Sequence, residues 1–230
     1  MFLGINLAIE PYSIALIKNT DILAEISCQG SYDFTEDLIL EIENLAKKAH
    51  VSLRKVKALA VASGPGSYTG LRISVVAAKT IAQVFKIPVY GVSTLEAMAY
   101  QGKDMESIFF SLIPARKNEM NAAMFSSVDQ QLSRLTDDFV WDNEIMLQKL
   151  KQFQKTIYLI GLIPPLLEKQ ILKLKNPNLQ IIKKPLAASA LAFMAQDNFK
   201  NKQEGNYLYT HPRYSHQPNI GKPKKKVITD

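Results

Sequence analysis

The first apolar runs of the chain are short, rich in β-branched residues and separated by turn residues, which is the pattern of β-strands. Three strands are predicted from them, over 2–9, 12–18 and 22–27. Apolar residues then recur at helical spacing between Leu38 and Ala49. Acidic or capping residues suited to a helix start come just before, at Asp33, Thr35, Glu36 and Asp37. The chain is therefore predicted to begin with the order β-β-β-α.

The next pattern is an apolar strand that leads into a long apolar helix. Residues 56–62 form a run of strand length, and residues 71–86 contain no glycine or proline and are apolar on more than one side. Another strand is predicted over 87–92. These elements predict a first α/β lobe over residues 1–102, with the order β-β-β-α-β-α-β.

A second α/β lobe is predicted over residues 103–206, after a break in the pattern at 101–104. Its predicted strands are 108–113, 120–125, 156–161 and 179–183, and its predicted helices are 144–153, 164–175 and 186–199. The alanine-rich helix 186–199 could pack back against the first lobe. Residues 207–230 combine aromatic residues, prolines and lysines without periodicity, and they are predicted to form a basic, extended tail.

The charge of the chain is uneven. The net charge is +7, but residues 1–110 contain 10 Lys and Arg against 11 Asp and Glu, whereas residues 111–230 contain 18 against 10. The excess of basic residues lies at Lys169, Lys173, Lys175, Lys183, Lys184, Lys222, Lys224, Lys225 and Lys226. Such a bias allows a weak, salt-sensitive attraction to nucleic acid. A solvated surface is the interpretation we favour for the lysines in helices.

No apolar run reaches the length needed to cross a bilayer, and the first residues lack the basic region of a signal peptide. The single cysteine, Cys28, excludes an internal disulfide and fits a reducing compartment. We therefore expect a cytoplasmic protein with no membrane partner.

The loop between the predicted strand 56–62 and the helix after it is rich in glycine. It contains Gly64, Pro65, Gly66, Ser67, Tyr68, Thr69, Gly70, Leu71 and Arg72. Strand-to-helix turns are where α/β proteins usually build their sites. The spacing matches neither a P-loop, which needs Lys after the last glycine, nor a dinucleotide fingerprint, which needs glycine at Thr69. A tight turn that positions a buried helix is favoured over a self-sufficient nucleotide site.

No catalytic centre or metal site is predicted. His50, His211 and His216 form no close ligand pair of the metalloprotease type, and Ser67 does not lie in a Gly-x-Ser-x-Gly elbow. Cys28 has no histidine partner evident in the sequence.

A family resemblance rests on three segments. The loop Gly64–Arg72 is followed by Ile-Ser-Val-Val-Ala-Ala-Lys at 73–79 and by Gly-Val-Ser-Thr-Leu-Glu-Ala-Met-Ala at 91–99. Ala-Arg-Lys-Asn-Glu-Met at 115–120 resembles a further signature, although Ile113-Pro114 stands where the family usually has an aspartate. In order and spacing, residues 1–125 resemble the TsaB (YeaZ) family of tRNA threonylcarbamoyladenosine biosynthesis proteins.

The resemblance implies a two-lobed α/β fold of the actin-like, Hsp70 and sugar-kinase (ASKHA) type with a degenerate nucleotide site. Active members of that superfamily carry an acidic residue at the end of the first strand. This chain has Asn6-Leu7-Ala8-Ile9 there, where the family sequence is nearer Asp-Thr-Ser. We therefore expect no autonomous nucleotide binding. ATP or ADP at the interface with a partner is the remaining expectation, with Gly64–Gly70 and Arg72 at the nucleotide or partner junction.

The resemblance also implies a non-catalytic subunit that holds the transferase TsaD in a competent shape, with TsaE supplying ATPase activity and tRNA reached through the complex. A homodimer is implied when TsaD is absent. The apolar positions of two first-lobe helices are the implied interface: Leu38, Ile42, Leu45, Ile73, Val76, Ala77, Ile81 and Val84. From the residues alone, burial of this surface beneath the second lobe is an equally good explanation.

Two other functions stay open. The first is an active actin-like or sugar-kinase-like ATPase whose basic second half holds its substrate. The second is an RNA-binding module that uses Lys222–Lys226 with Tyr207, Tyr209 and Tyr214. Simple solubility is the favoured explanation of the tail.

Overall fold

The computed structural model describes residues 1–30 and 37–216. Within these residues, the first half of the chain forms a five-stranded sheet and three helices. The strands are β1 (Phe2–Asn6), β2 (Tyr12–Lys18), β3 (Asp21–Cys28), β4 (Ala58–Gly64) and β5 (Val89–Ser93). The helices are α1 (Leu38–Lys48), α2 (Tyr68–Phe85) and α3 (Thr94–Tyr100), with a 3-10 turn at Leu53–Lys55.

The second half forms a sheet of six strands and three more helices. The strands are β6 (Ser107–Pro114), β7 (Glu119–Val128), β8 (Gln131–Arg134), β9 (Phe139–Asp142), β10 (Ile157–Gly161) and β11 (Leu179–Ile182). The helices are α4 (Asn143–Lys151), α5 (Pro165–Lys173) and α6 (Ala188–Lys200).

The two sheets repeat one strand plan. In the first sheet the order is β3-β2-β1-β4-β5, with antiparallel pairs up to β1 and parallel pairs from β1 to β5. In the second sheet β8-β7-β6-β10-β11 has the same order and the same directions, and β9 adds a further antiparallel pair to β7. The predicted two-lobed α/β fold of the ASKHA type is confirmed.

Each sheet is covered on both faces, so its central strands are apolar throughout. On β1, Leu3 and Ile5 pack under α1 and α2, whereas Phe2 points to the opposite face. On β6, Phe110 and Leu112 pack under α4 and α5, and Phe109 points into the layer between the sheets. This alternation gives five layers, in the order α1/α2, first sheet, α3/α6, second sheet, α4/α5.

Helix α6 follows the second sheet in the chain but packs on β1, β2 and β4 of the first. Two polar contacts hold it there. The Ser189 amide and hydroxyl donate to the Glu25 carboxylate at 3.0 and 2.9 Å, and Gln196 Nε2 donates to the Asn19 carbonyl at 3.0 Å. The first lobe is thus completed by a segment that lies about a hundred residues later in the chain than β5.

Residues 207–216, the described part of the predicted basic, extended tail, contain no helix or strand. They are packed along the first lobe and, at His216, against the second. Tyr207 packs against the core beneath α2, and Thr210 is buried. The Arg213 amide donates to the Ser63 carbonyl at 2.6 Å, and His216 Nε2 lies 2.9 Å from a Glu119 carboxylate oxygen. The lysines of the predicted basic tail, Lys222 and Lys224–Lys226, lie outside the described residues, as do Asp33, Thr35 and Glu36.

Three short elements were missed from the sequence: α3, β8 and β9. Asp37 does stand at the start of α1, but its side chain makes no capping hydrogen bond. Among residues 1–30 and 37–216, the helices are all too short or too polar to cross a membrane.

Candidate functional site

The inner side of the loop Gly64–Arg72 is filled by the backbone of the β1–β2 turn. The Ser67 amide donates to the Ala8 carbonyl at 2.6 Å, and Ser67 Oγ caps α2 by accepting from the Gly70 amide at 3.2 Å. A Cβ on Gly66 would overlap the Ala8 carbonyl, and one on Gly70 would overlap the Leu7 carbonyl. These two glycines therefore let two turns of the same chain approach each other.

The segment 207–216 covers the other side of the loop. A Cβ on Gly64 would overlap the Arg213 carbonyl. The Tyr214 ring packs against the Tyr68 ring with centroids 4.8 Å apart, and the Arg72 guanidinium lies 4.4 Å from the Tyr68 centroid. The predicted loop residues thus divide into a buried part, Gly64, Pro65 and Gly70, a half-buried Ser67, and an exposed rim, Gly66, Tyr68, Thr69 and Arg72.

Asn6 at the end of β1 is fully buried, and its side-chain amide is hydrogen-bonded to the backbone around it. Its Nδ2 donates to the Ile9 carbonyl at 3.0 Å and the Pro11 carbonyl at 3.1 Å, and the Leu186 carbonyl lies at 3.3 Å. Its Oδ1 accepts from the Ala8 amide at 3.1 Å. The side chain closes the first turn on itself and joins it to the segment before α6.

This turn does not fit a nucleotide or its metal. The position where an active ASKHA protein offers a carboxylate carries an amide whose atoms already have partners. Leu7 and Ala8, which follow, are buried apolar residues, and the glycines of the next loop are in contact with their carbonyls. A hard cation prefers anionic oxygen ligands, and a phosphate needs free amides, so neither has a place in this turn.

Helices α1 and α2 pack side by side on the outer face of the first sheet, and this corrects part of the predicted interface. Leu38, Ile42 and Leu45 are at most 2% exposed and pack against the sheet in the core. Because the sheet covers them, Leu38 and Leu45 are not side chains that the isolated chain offers to a partner, and Ile42 contributes only to the floor of the groove between α1 and α2. Their spacing of four and three residues is the core stripe of the helix.

The remaining predicted residues, all on α2, are more exposed than Leu38, Ile42 and Leu45, although Ile73, Ala77 and Ile81 also pack against the core. Val76 is 64% and Val84 68% exposed, and Ile73, Ala77 and Ile81 are half-buried. Between α1 and α2 lies an apolar groove of about 240 Å³, lined mainly by Leu3, Ile39, Ile42, Leu53, Val56, Ile81, Val84 and Phe85. The second lobe lies across the opposite face of the first sheet, so it does not cover this groove.

Two exposed residues of this surface were missed from the sequence. Ile39 and Leu40 on α1 are each 49% exposed. The signal was present, because both are apolar but lie off the stripe of Leu38, Ile42 and Leu45. An apolar residue outside the core stripe of an amphipathic helix points to a second contact surface.

A second cluster of polar side chains joins α3 to α6. Tyr100 Oη donates to the Asp197 carboxylate at 2.6 Å, and Lys103 Nζ donates to Tyr100 Oη at 2.7 Å. Burial, and then the hydrogen bond to Asp197, raise the pKa of the Tyr100 hydroxyl well above its usual range. Each of these polar groups has a partner within the cluster, which indicates a structural role.

No group of three or more His, Cys, Asp or Glu side chains suited to a metal occurs in the described part of the chain. Cys28 is half-buried against the core of the first lobe, and His216 pairs with Glu119.

Comparison with known proteins gives a consistent family. Residues 29–197 match the family model TsaD, described as tRNA N6-adenosine threonylcarbamoyltransferase. The tRNA threonylcarbamoyladenosine biosynthesis protein TsaB of Bacillus subtilis is 26% identical over 163 residues, which are 69% of this chain and 69% of that protein. TsaB of Escherichia coli is 33% identical over 122 residues, 51% of this chain and 52% of that protein.

The fold is shared with solved structures. YeaZ from Pseudomonas aeruginosa superimposes with a TM-score of 0.76 at 18% sequence identity, covering 93% of this chain and 98% of that one. The strand plan, the matched region and the named relatives agree, and the chain belongs to the TsaD domain family and, within it, to the TsaB (YeaZ) family.

Proposed function

We propose that this chain works in the formation of threonylcarbamoyladenosine in tRNA as a non-catalytic subunit, which binds a TsaD-type transferase through the α1–α2 surface. The names of its relatives support the pathway, since they are tRNA threonylcarbamoyladenosine biosynthesis proteins and a transferase of the same modification. The turn at Asn6 offers no site for a nucleotide or its metal, which supports a non-catalytic role for this chain. The catalytic chemistry would then be carried out by the transferase.

The observation that carries this proposal is the open apolar groove between α1 and α2. Ile39 and Val84, which are 49% and 68% exposed, line a concave surface with an apolar floor. Val76, which is 64% exposed, lies about two turns before Val84 on α2, beside the groove. Protein interfaces are built around apolar cores of this kind, with charged residues at their rim. Glu43 is the charged residue that lines the groove. A partner helix with apolar side chains would fill it.

A charge in the lining of this groove, or beside it on the exposed side of α2, should abolish pairing. The variants Val76→Asp and Val84→Asp place a carboxylate where the partner would remove water, and an unpaired buried charge costs several kcal/mol. A loss of about 3 kcal/mol corresponds to roughly a hundredfold weaker binding. Both side chains are exposed in the isolated chain, so the variants should fold normally.

The matched control is Val128→Asp, which introduces the same charge at a valine that is 61% exposed on the second lobe. Co-purification with the TsaD-type transferase of the same organism is the measurement. We expect Val128→Asp to co-purify like the wild type and the two groove variants to be lost. Equal co-purification of all four proteins would contradict the proposed interface.

The same surface would form a homodimer when no transferase is present. Sedimentation velocity of the chain alone tests this, because Val84→Asp should then sediment as a monomer and Val128→Asp should not. If both variants sediment like a wild-type dimer, a different surface pairs the two copies.

We propose that ATP or ADP binds at the junction between this subunit and the transferase, in a complex to which TsaE supplies ATPase activity. The exposed rim of the loop, with Tyr68, Thr69 and Arg72, is the part of this chain that would face this junction. Calorimetry with Mg-ATP should show no binding to the isolated chain, while Arg72→Ala should weaken nucleotide binding by the complex. Tight binding by the isolated chain would instead support the active ATPase.

A further inference from the structure

Most of the net positive charge of the chain falls on residues 143–184 of the second lobe, the segment that contains the outer helices α4 and α5. Between Asn143 and Lys184 the sequence has eight lysines and two glutamates, a local net charge of +6 in a chain whose total is +7. The lysines are Lys149, Lys151, Lys155, Lys169, Lys173, Lys175, Lys183 and Lys184, and all eight are exposed.

The fold brings the ends of α4 and α5 together, and with them five of these lysines. Asn176, just after α5, donates through Nδ2 to the Leu150 carbonyl at 3.1 Å and the Phe153 carbonyl at 3.0 Å at the end of α4. Asn178 Nδ2 donates to the same Phe153 carbonyl at 3.2 Å. This junction places Lys149, Lys151 and Lys155 beside Lys173 and Lys175.

The lysines around this junction have no acidic neighbours to neutralise them. Glu168 is engaged with Lys183 at 2.7 Å, and Glu144 lies at the opposite end of α4. In residues 1–30 and 37–216, neither Lys149, Lys151, Lys155, Lys173 nor Lys175 takes part in an ion pair. The buried stripes of both helices, Met146 with Leu150 and Leu167 with Ile171, face the sheet, so the lysines are left on the outside.

We propose that this α4–α5 lysine patch binds the phosphate backbone of the tRNA substrate. The inference rests on the proposed function, which supplies RNA as the polyanion. A cluster of exposed, unpaired lysines is the electrostatic footprint of a phosphate contact. The patch lies on the second lobe, on the far side of the molecule from the α1–α2 groove, so the transferase and the RNA can be held at once.

The test compares two variants that lose the same charge. The patch variant changes four lysines to glutamine, Lys149→Gln, Lys151→Gln, Lys173→Gln and Lys175→Gln. The control variant changes four exposed lysines elsewhere, Lys18→Gln, Lys55→Gln, Lys200→Gln and Lys202→Gln. Binding of unmodified tRNA is measured by fluorescence anisotropy between 50 and 200 mM salt, for the full chain alone and for its complex with the transferase.

Each phosphate contact contributes about 0.7–0.9 to the slope of log K against log salt, so four lost contacts should make the slope shallower by about three. The affinity ratio of wild type to patch variant should then be about 60-fold larger at 50 mM than at 200 mM salt. The control variant should keep the wild-type slope. Equal slopes for all proteins, equal losses in both variants, or no tRNA binding by the wild type in either form would overturn the proposal.

An anionic membrane is the other polyanion that such a patch could meet, because Leu166 and Leu172 are exposed beside it on α5. Vesicles with and without phosphatidylserine separate the two. Loss of vesicle binding with unchanged tRNA binding in the patch variant would overturn the RNA assignment. Co-purification of the patch variant with the transferase is followed in parallel, since a failure to pair concerns the proposed function and not this patch.

Discussion

The substitution Asn6→Asp tests most directly whether the first turn has lost the ability to hold a metal and a phosphate. It restores the acidic residue type that active ASKHA proteins carry. In this chain, however, it removes the Nδ2 donor from the Ile9 carbonyl at 3.0 Å and the Pro11 carbonyl at 3.1 Å. The new carboxylate would face those carbonyl oxygens in a position with no solvent exposure.

The cost follows from these contacts. Each buried carbonyl left without a donor costs about 1–3 kcal/mol, so two of them cost about 2–6 kcal/mol, and the buried charge adds to this. For a chain of this size 1 kcal/mol lowers the melting temperature by about 2–4 °C, so the two carbonyls alone give a decrease of about 4–24 °C. Adding a carboxylate should therefore destabilise the protein and not activate it.

The pH dependence gives a second signature. Burial against carbonyl oxygens raises the pKa of the new carboxyl group in the folded state, because the protonated form can still donate one hydrogen bond. A folded-state pKa above the unfolded value of about 3.9 means that stability is retained at low pH and lost as the pH rises. The deficit relative to the wild type should therefore be larger at pH 8 than at pH 5.

Thermal and urea unfolding at pH 5 and pH 8 measure this deficit, and Asn19→Asp serves as the control at an exposed asparagine. We expect the control to stay close to the wild type at both pH values. A variant at Asn6 that is as stable as the wild type at pH 8, or one that gains binding of Mg-ATP, would refute the reasoning about the turn.

Three further predictions concern the core, the loop and the α3–α6 cluster. Leu45→Ala should lower the free energy of unfolding by about 2–5 kcal/mol in urea, whereas an interface residue would leave it unchanged. Gly66→Val should displace the loop from the Ala8 carbonyl and lower the activity of the transferase complex, and normal activity would exclude a role at the junction. Because burial raises the pKa of Tyr100, the stability of the wild type should fall above about pH 10, where the tyrosine of the unfolded chain ionises. Tyr100→Phe should make this fall less steep. If stability falls equally steeply with pH in the wild type and in Tyr100→Phe, Tyr100 is not its cause.

The lobes and most strands could be predicted from the sequence because their signals are local. β2 was predicted with its observed bounds, and α1 differs by a single residue, since its apolar stripe repeats over three turns. Helix α3 was missed for two reasons. It is only seven residues long and follows β5 directly, and its buried residues, Leu95 and Ala97–Ala99, lie on several sides of the helix, so the sequence shows no amphipathic period. Strand β8 is four mostly polar residues, and its structure depends on pairing with β7.

The candidate site was predictable only in part, because burial depends on tertiary contacts. The stripe Leu38, Ile42 and Leu45 has the same periodicity whether a helix covers its own sheet or a partner. The segment 207–216 is held by isolated contacts, such as the buried Thr210 and the hydrogen bond from the Arg213 amide. Isolated contacts produce no periodic pattern in the sequence, so the packing of this segment could not be predicted. The lysine patch also required the fold, because Asn176 brings together residues that are about 25 positions apart.

The placement of α6 has a consequence for the synthesis of this protein on the ribosome. The last strand of the first sheet ends at Ser93, and the helix that covers the inner face of that sheet begins at Ala188. At a translation rate of about 5–20 residues per second, roughly 5–20 seconds pass between the synthesis of these two elements. During that interval the apolar face of β1, β2 and β4 is open. A nascent chain of this protein should therefore be a chaperone client until α6 has left the exit tunnel, after which both lobes can close together.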